Sequence, residues 1–490
     1  MKLNRIKNLM IVGLLTLTVG CADLAVENLN EPETERALAS SEDLEGLANG
    51  LYRDFYLGNH NFGAQMALAV GADAATASWG NAGMQLMGTE PRPAWDNSPN
   101  FSYAYVTEDQ FEDMYSINSS ATDVLKAMAS GIEFDNPNMI EAFAKFNQAL
   151  SIGYIGLMFD QGYIVDENTT DEEISNPTLR PYGELIDHAV AKLNEVITIS
   201  EANTFSLNSS MMQTTATMDN VFLEKLAHSY AARFLANAPR NLAETQAVDW
   251  SAVRTHAQNG IDSDFIVIGT SDFLWYNYSG YYLVNPGWGR VDHYVINKMD
   301  PTYPAHNPDG TDYPAPDSAN VVDERLFSDF QYLPSNNFRA ERGLYFFSNF
   351  RHSRTDYYIG SWDGDLREVT TSEMDMYIAE SHYHDQNYVL AKTVIDNSER
   401  ISRGNMDPVL ATEEEIWKAI HHERLVEQFN TGVGLEFFQM RKYDKLQEGT
   451  LLHFPIPAST LEVLGMTKPF YTFGGVDNAD GQGTSSGGWR

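Results

Sequence analysis

Between Asn138 and Met158 the chain carries one continuous apolar stripe, in which Phe143, Phe146, Leu150, Tyr154 and Leu157 follow at steps of three or four residues. That spacing puts all five side chains on one face of an α-helix, a face that must be buried against another element. Ala142, Ala149 and Gly153 lie beside the stripe and are small enough to let a second helix come close. The pattern recurs. Leu44, Leu47, Leu51 and Phe55 make an earlier stripe with Ser40 or Ser41 as cap. Leu185, Ala189, Leu193 and Val196 make a later one, followed by Phe222, Leu226, Tyr230 and Phe234. The simplest arrangement is a set of antiparallel helix pairs. Helical spacing returns over 373–384 and 388–403, and Thr412 with Glu415 forms a capping box ahead of Ile416, Trp417, Ile420 and Leu425. No clean repeat occurs at the roughly 34-residue period of tetratricopeptide units, so an architecture of that kind is degenerate in sequence.

From about Asp262 to Asp365 the texture changes, and Gly, Pro, Asn, Asp and aromatic residues crowd together with no helical stripe. A long irregular stretch inside a compact protein is more often functional than decorative. The tail after Gly474 is Gly, Ser, Asp and Asn and reads as mobile or loosely packed.

The one cysteine, Cys21, stands where a short apolar run ends. Lys2, Arg5 and Lys7 precede the run, Leu9 to Val19 compose it, and Val19-Gly20-Cys21 closes it with small residues. This is the layout of a lipoprotein leader. A spanning helix needs roughly 20 apolar residues, so the run is too short to remain as an anchor. The thiol of Cys21 is then expected to carry lipid at the new N-terminus, followed by a polar tether in which Asn28, Asn30 and Pro32 discourage helix. The organisation reads as a leader at 1–20, a tether at 21–36, a helical region at 37–261, and a loop-rich region with C-terminal helices at 262–490.

Beyond Cys21 no thiol is available for a disulfide, a thiolate metal site or a nucleophile. The exported body must hold together by packing. A formal net charge of −36 repels phosphate backbones and anionic lipid, which argues against nucleic acid and against electrostatic membrane contact. A neutral, cationic or protein partner is expected.

The C-terminal third carries a recognisable order of residues: Glu373-Met374, Tyr377-Ile378-Ala379-Glu380, Ala391, Ile395 and Arg400, Glu413-Glu414-Glu415-Ile416, Ile420, Glu423-Arg424, Glu427, Phe437-Phe438, Arg441 and Pro455-Ile456-Pro457. In this order it resembles the SusD/RagB family. The N-terminal half agrees through the lipoprotein cysteine, Asn28 to Pro32, the helix through Leu51 and Tyr52, and Ala149 to Phe159. Asp160-Gln161-Gly162-Tyr163 and Asn430-Thr431-Gly432-Val433-Gly434 differ from the family pattern. The resemblance implies a mainly α fold in which tetratricopeptide-like helix pairs support a long irregular face. It also implies a lipid-anchored, non-catalytic protein of the cell outer membrane, facing the exterior. Such a protein binds glycan or another oligomeric nutrient and passes it to a SusC-like TonB-dependent transporter. No cofactor is implied.

Independently of family, Trp79, Trp95, Trp275, Tyr276, Tyr278, Tyr281, Tyr282 and Trp288 sit in Gly- and Asn-rich text without helical spacing. Flat rings pack on the apolar faces of sugars while neighbouring amides bind hydroxyls. Asn81, Asn97 and Asn100 are such amides near Trp79 and Trp95. Trp95 and Asn100 also resemble the Trp and Asn that contact sugar in starch-binding family members. The expected ligand set is therefore Trp79, Asn81, Trp95, Asn100, Trp275, Tyr276 and Trp288. The bland alternative is that these rings pin long loops to the helical body.

Other candidate sites read as structural. Glu423 and Glu427 share a helix face with Arg424 between them, and are expected to pair across helices, for example with Arg441. His382 with His384, and His421 with His422, lack the spacing of a helical zinc site, so no metal is expected. The Asp-Gly turns at 309–312, 363–365 and 477–481 complete no EF-hand loop. Two other functions remain open. A secreted glycoside hydrolase would need two carboxyls flanking a cleft, which no motif singles out. A helical-repeat scaffold for proteins would not need loop aromatics.

Overall fold

The computed structural model describes residues 40–77, 80–307, 309–337 and 347–490. The expected leader and tether, with Cys21, lie outside the described residues, as does Trp79.

Helices form the frame, as the stripes require. α1 (Ser41–His60), α2 (Tyr105–Ala129), α3 (Pro137–Met158), α4 (Tyr182–Ala202), α5 (Asn220–Asn237) and α6 (Trp250–Gln258) each pack on the next. Two short helices, α7 (Tyr278–Val284) and α8 (Asp356–Ser361), belong to the irregular stretch. The frame resumes with α9 (Thr371–His384), α10 (Tyr388–Asp396), α11 (Glu413–Val426) and α12 (Leu435–Lys442). α6 packs across onto α9, and α9 holds both α10 and α11. The result is a mainly α, tetratricopeptide-like succession interrupted by one long excursion.

The predicted stripe of α3 is entirely buried. Each large apolar side chain so buried contributes roughly 1.5–3 kcal/mol. A Cβ on Gly153 would run into the ring of Phe234 on α5, so this glycine sets how closely the two helices approach. Ser40 is the cap of α1, accepting from Asp43 N at 3.4 Å. A hydrophobic cluster extends from Leu44 to Leu461, so helices on both sides of the excursion share one core. Met376, Ala391, Ile395, Ile416 and Ile420 form a smaller cluster sealing α9, α10 and α11.

Among the described residues eight short strands occur: β1 (Ala75–Ala77), β2 (Gln161–Tyr163), β3 (Leu179–Pro181), β4 (Phe265–Gly269), β5 (Gly289–Val291), β6 (Phe330–Tyr332), β7 (Phe350–His352) and β8 (Gly364–Val369). They pair antiparallel as β1–β5, β2–β3, β4–β8 and β6–β7. The β4–β8 pair matters most here. Phe265 faces Val369 and Gly269 faces Gly364, so the excursion leaves and re-enters the helical frame through one clasp.

Three local expectations need correction. The helix expected over 388–403 breaks after Asp396, because the Ser398 hydroxyl accepts from Arg400 N at 3.3 Å and starts a separate turn. The capping box at α11 is half made: Thr412 accepts from Glu415 N, while the Glu415 carboxylate turns to Lys418 at 3.1 Å. The tail is packed. Thr484 pairs with Leu451, Gly474 pairs with Ala94, and Trp489 Nε1 donates to Asp73 at 2.7 Å. Gly474 sits at φ 94°, and a Cβ there would meet Pro93 O, Ala94 Cα and Trp95 N at 3.2–3.3 Å, so a side chain would be strained and crowded.

Candidate functional site

The β4–β8 clasp brings two aromatic segments together, one following β4 and one preceding β8. α7 starts where the Asn277 side chain accepts from Gly280 N at 2.6 Å. Asn277 N in turn donates to the Tyr358 hydroxyl of α8 at 2.7 Å, which locks the two short helices. α8 ends at Trp362, whose φ of 59° and ψ of 24° lie in the left-handed region. A bulky residue is rare there, at a cost of roughly 1–2 kcal/mol. The indole stacks on Tyr281 with centroids 4.0 Å apart and on Tyr278 at 5.8 Å, both at 23°. Phe273 meets the same indole at 5.3 Å. Beyond Tyr281 lies Trp288, at 5.7 Å, itself stacked on Tyr282 at 5.0 Å.

The rings continue in the other direction. Tyr278 meets Phe62 at 5.2 Å, Phe62 stacks on Tyr105 at 6.3 Å, and Tyr105, Tyr103 and Phe101 follow at 6.3 and 5.6 Å. Phe101 touches Trp95 at 5.2 Å. Phe101, Tyr103, Tyr105, Phe62, Tyr278, Tyr281, Trp288 and Trp362 are all half-buried. Phe273 is 53% exposed. Each half-buried ring packs on its neighbours and leaves part of its surface to solvent. Together they form a ribbon assembled from four distant parts of the sequence.

Of the expected ligand residues, Tyr276 and Trp288 lie on or beside this ribbon. Tyr276 contacts Phe273 at 6.4 Å and lines a cleft of about 290 Å³ with Asn61, Asp113, Ser116 and Ser120. Burial, and then the charges of Asp109, Glu112 and Asp54, push the Asp113 carboxyl up to about 6. Asn81 is half-buried and Asn100 is exposed. Trp95 and Trp275 are different, being 2% and 5% exposed. Trp95 is clamped between Phe101 and Phe454, with its backbone N donating to Phe473 O at 2.9 Å. Trp275 packs on Tyr52 and Tyr56 of α1. A ring enclosed in this way has no face left for a ligand, so both are corrected to core anchors. Asn97 is likewise spent, donating to the carbonyls of Ile456 and Tyr471 at 3.0 Å each. The residues sequence reasoning missed are Phe62, Phe101, Tyr103, Tyr105, Phe273 and Trp362. The alternation Phe101-Ser102-Tyr103-Ala104-Tyr105 was a usable signal.

Known structures share this architecture. A SusD superfamily protein from Parabacteroides distasonis is 14% identical and superposes with a TM-score of 0.60 over 88% of this chain and 99% of its own. The fold is that of SusD. A SusD-like carbohydrate-binding protein from Bacteroides fragilis gives 0.58 at 13% identity, over 82% of this chain and 86% of its own. A SusD superfamily protein from Bacteroides vulgatus gives 0.57 at 10% identity, over 86% and 97%. No family model and no curated protein matches the sequence.

Within this SusD fold the conspicuous charged motif is structural. Arg325, from the excursion, donates to Glu423 at 2.6 and 2.9 Å and to Glu427 at 3.1 Å. Arg354 and Arg403 also reach Glu427, at 2.6 and 2.8 Å. Burial opposes ionisation of Glu423, yet the Arg325 guanidinium outweighs it and holds the carboxyl below its usual range. A Glu423 carboxyl held as an anion by its arginine neighbour is unsuited to act as a general acid. Arg441 is not their partner, contrary to expectation. It donates instead to the carbonyls of Leu157, Leu452 and Asn237 at 2.8, 3.0 and 2.7 Å, satisfying buried helix and loop ends. His421 and His422 are held by Tyr294 and Asp323, at 2.8 and 2.7 Å. Among the described residues no group of three His, Cys, Asp or Glu is arranged to hold a metal ion. The Asp480 carboxylate accepts from the backbone N of Gln482, Gly483 and Thr484, which is turn formation.

Proposed function

We propose that this protein is a non-catalytic, lipid-anchored outer-membrane protein that binds oligosaccharide on the aromatic ribbon and delivers it to a SusC-like TonB-dependent transporter. The observation that carries the reading is the Trp362 cluster. Several half-buried rings stand together at the closing point of an excursion, and one of them is held in a strained backbone conformation. Strain of this kind is retained where the surrounding structure fixes a side chain for use. Ring faces with neighbouring amides and hydroxyls suit uncharged sugars. The carbohydrate-binding character of the Bacteroides fragilis relative agrees with this chemistry. Lipid anchoring rests on the sequence around Cys21, and the transporter partnership on the family resemblance.

Calorimetric titration with neutral oligosaccharides, comparing the wild type with W362A, tests the ligand. Binding in both with equal affinity would remove the ribbon from consideration. Mild detergent extraction with an affinity tag on this chain tests the partner, the expected outcome being co-purification of one much larger outer-membrane protein.

A further inference from the structure

A second cleft, of about 880 Å³, opens in the helical frame and shares no residue with the ribbon. It lies where the start of α6, the end of α9, and the starts of α10 and α11 converge. Its back wall is rigid. Trp250 is buried, donates from Nε1 to Thr245 O at 2.9 Å, and stacks on His384 at 4.3 Å and 7°. Tyr443 is buried and donates to Glu380 at 2.7 Å. In front of this wall stand Tyr383, Tyr388 and Trp417, all half-exposed, contributed by three different helices. Trp417 is braced edge-on against Tyr443 at 5.8 Å and lies flat on His421 at 4.8 Å. The exposed amides of Gln246 and Gln386 sit among these rings.

The charges of the cleft identify the ligand class. Asp385 is already paired with Arg254 at 2.5 Å, and the Asp249 carboxylate already accepts from Ala252 N at 3.0 Å. Lys445 stands over the Trp417 ring at 5.2 Å, so the place a cationic ligand would take is occupied by the protein's own ammonium. Leu242 and Val248 are the only aliphatic side chains in the lining, too few for an apolar partner face. What remains is ring faces, amides and the solvent-exposed carboxylate of Glu413, which can accept from sugar hydroxyls, and the volume lies within the range of small-ligand sites. We infer that this cleft is a second binding site for a neutral oligosaccharide, seated on Tyr383 and Tyr388 with Trp417 beside them, and independent of the aromatic ribbon.

The test uses the full chain labelled with 5-fluorotryptophan, with fluorine resonances assigned by single Trp→Phe variants. Maltohexaose, cellohexaose, mannohexaose and xylohexaose are titrated separately. The expected result is a saturable shift of the Trp417 resonance with at least one of them, preserved in W362A and weakened about tenfold in Y388A. A Trp417 resonance that stays fixed with all four sugars up to about 10 mM, or moves without saturating, overturns the inference. So does a shift that disappears in W362A. A shift at Trp362 alone supports the ribbon and rejects the cleft, whereas a shift at Trp417 alone does the reverse.

Discussion

The indole of Trp362 lies almost flat on the ring of Tyr281, their centroids 4.0 Å apart. Trp362 closes α8 in a left-handed conformation, and Tyr281 stands on α7, so two short helices of the excursion meet through one ring pair. The orientation of the indole is therefore set from both sides, by its own backbone and by its neighbour.

This gives a prediction that separates ring from backbone. W362A and W362G should both lose oligosaccharide affinity by about tenfold or more, since each removes the indole. W362G should be the more stable of the two by about 1 kcal/mol, because glycine accepts a φ of 59° without penalty. Equal melting temperatures for the two variants would show that the left-handed conformation is not a constraint.

A second prediction concerns the core pair of Arg233 and Glu373. The guanidinium of Arg233 donates to both carboxylate oxygens at 2.8 and 2.7 Å, and also to Tyr154 and the carbonyl of Glu368. Both partners are fully buried. R233M leaves the buried Glu373 carboxyl without its guanidinium partner, and should cost roughly 3–5 kcal/mol. The double variant R233M/E373L should be less destabilised than R233M alone. Urea unfolding midpoints of the two variants and the wild type measure the difference.

Buried histidines should lower stability as pH falls from neutral, while carboxyls raised by burial, Asp113 and Asp160 to about 6 and Glu436 to about 7, take up protons in the folded chain over the same range and oppose that loss. Burial pushes His352 down to about 3, and His228 and His293 down to about 4. Each is neutral in the folded chain but protonates near 6.5 once unfolded. At these histidines the unfolded state binds more protons as pH falls, and their contribution to stability declines from about pH 6.5 downwards, by up to roughly 1.4 kcal/mol per pH unit for each. The decline ends near pH 4 for His228 and His293 and near pH 3 for His352. Melting temperatures measured at half-unit steps for the wild type and H352Q isolate the contribution of His352. H352Q should make the slope shallower, and an unchanged slope would exclude His352 as a contributor.

Fractionation checks the anchor. C21S should move the protein from the outer-membrane fraction to a soluble one. A variant still sedimenting with membranes would reject lipid attachment at this residue.

The helical frame was legible because helix burial is periodic. Phe143 to Leu157 states its own geometry, and Gly153 even announces the close approach of Phe234. The aromatic site was legible only as a region. Trp95 and Trp275 stand in polar text, but residues far along the chain, Phe454 for one and Tyr52 with Tyr56 for the other, close over them. Local sequence cannot report that cover. Trp362 was obscured by its Asp-Gly neighbours, which read first as a turn. The tail was misread for a related reason: glycine and serine look loose in sequence, yet at Gly474 their small size is what permits tight contact.

The clasp between β4 and β8 has a consequence for how such a protein changes over time. Because Gly269 lies directly opposite Gly364, the segment between them enters and leaves the helical frame at one fixed doorway, and is tied to the frame again where Trp275 packs on Tyr52 and Tyr56 and where Arg325 meets Glu423 and Glu427. Exposed stretches between these ties can lengthen, shorten or be exchanged while the strand register keeps the entry and exit in place. Ligand preference can then drift quickly on a scaffold that drifts slowly. Grafting such exposed stretches from a relative, with Trp275 and Arg325 retained, is the corresponding engineering route to a new specificity.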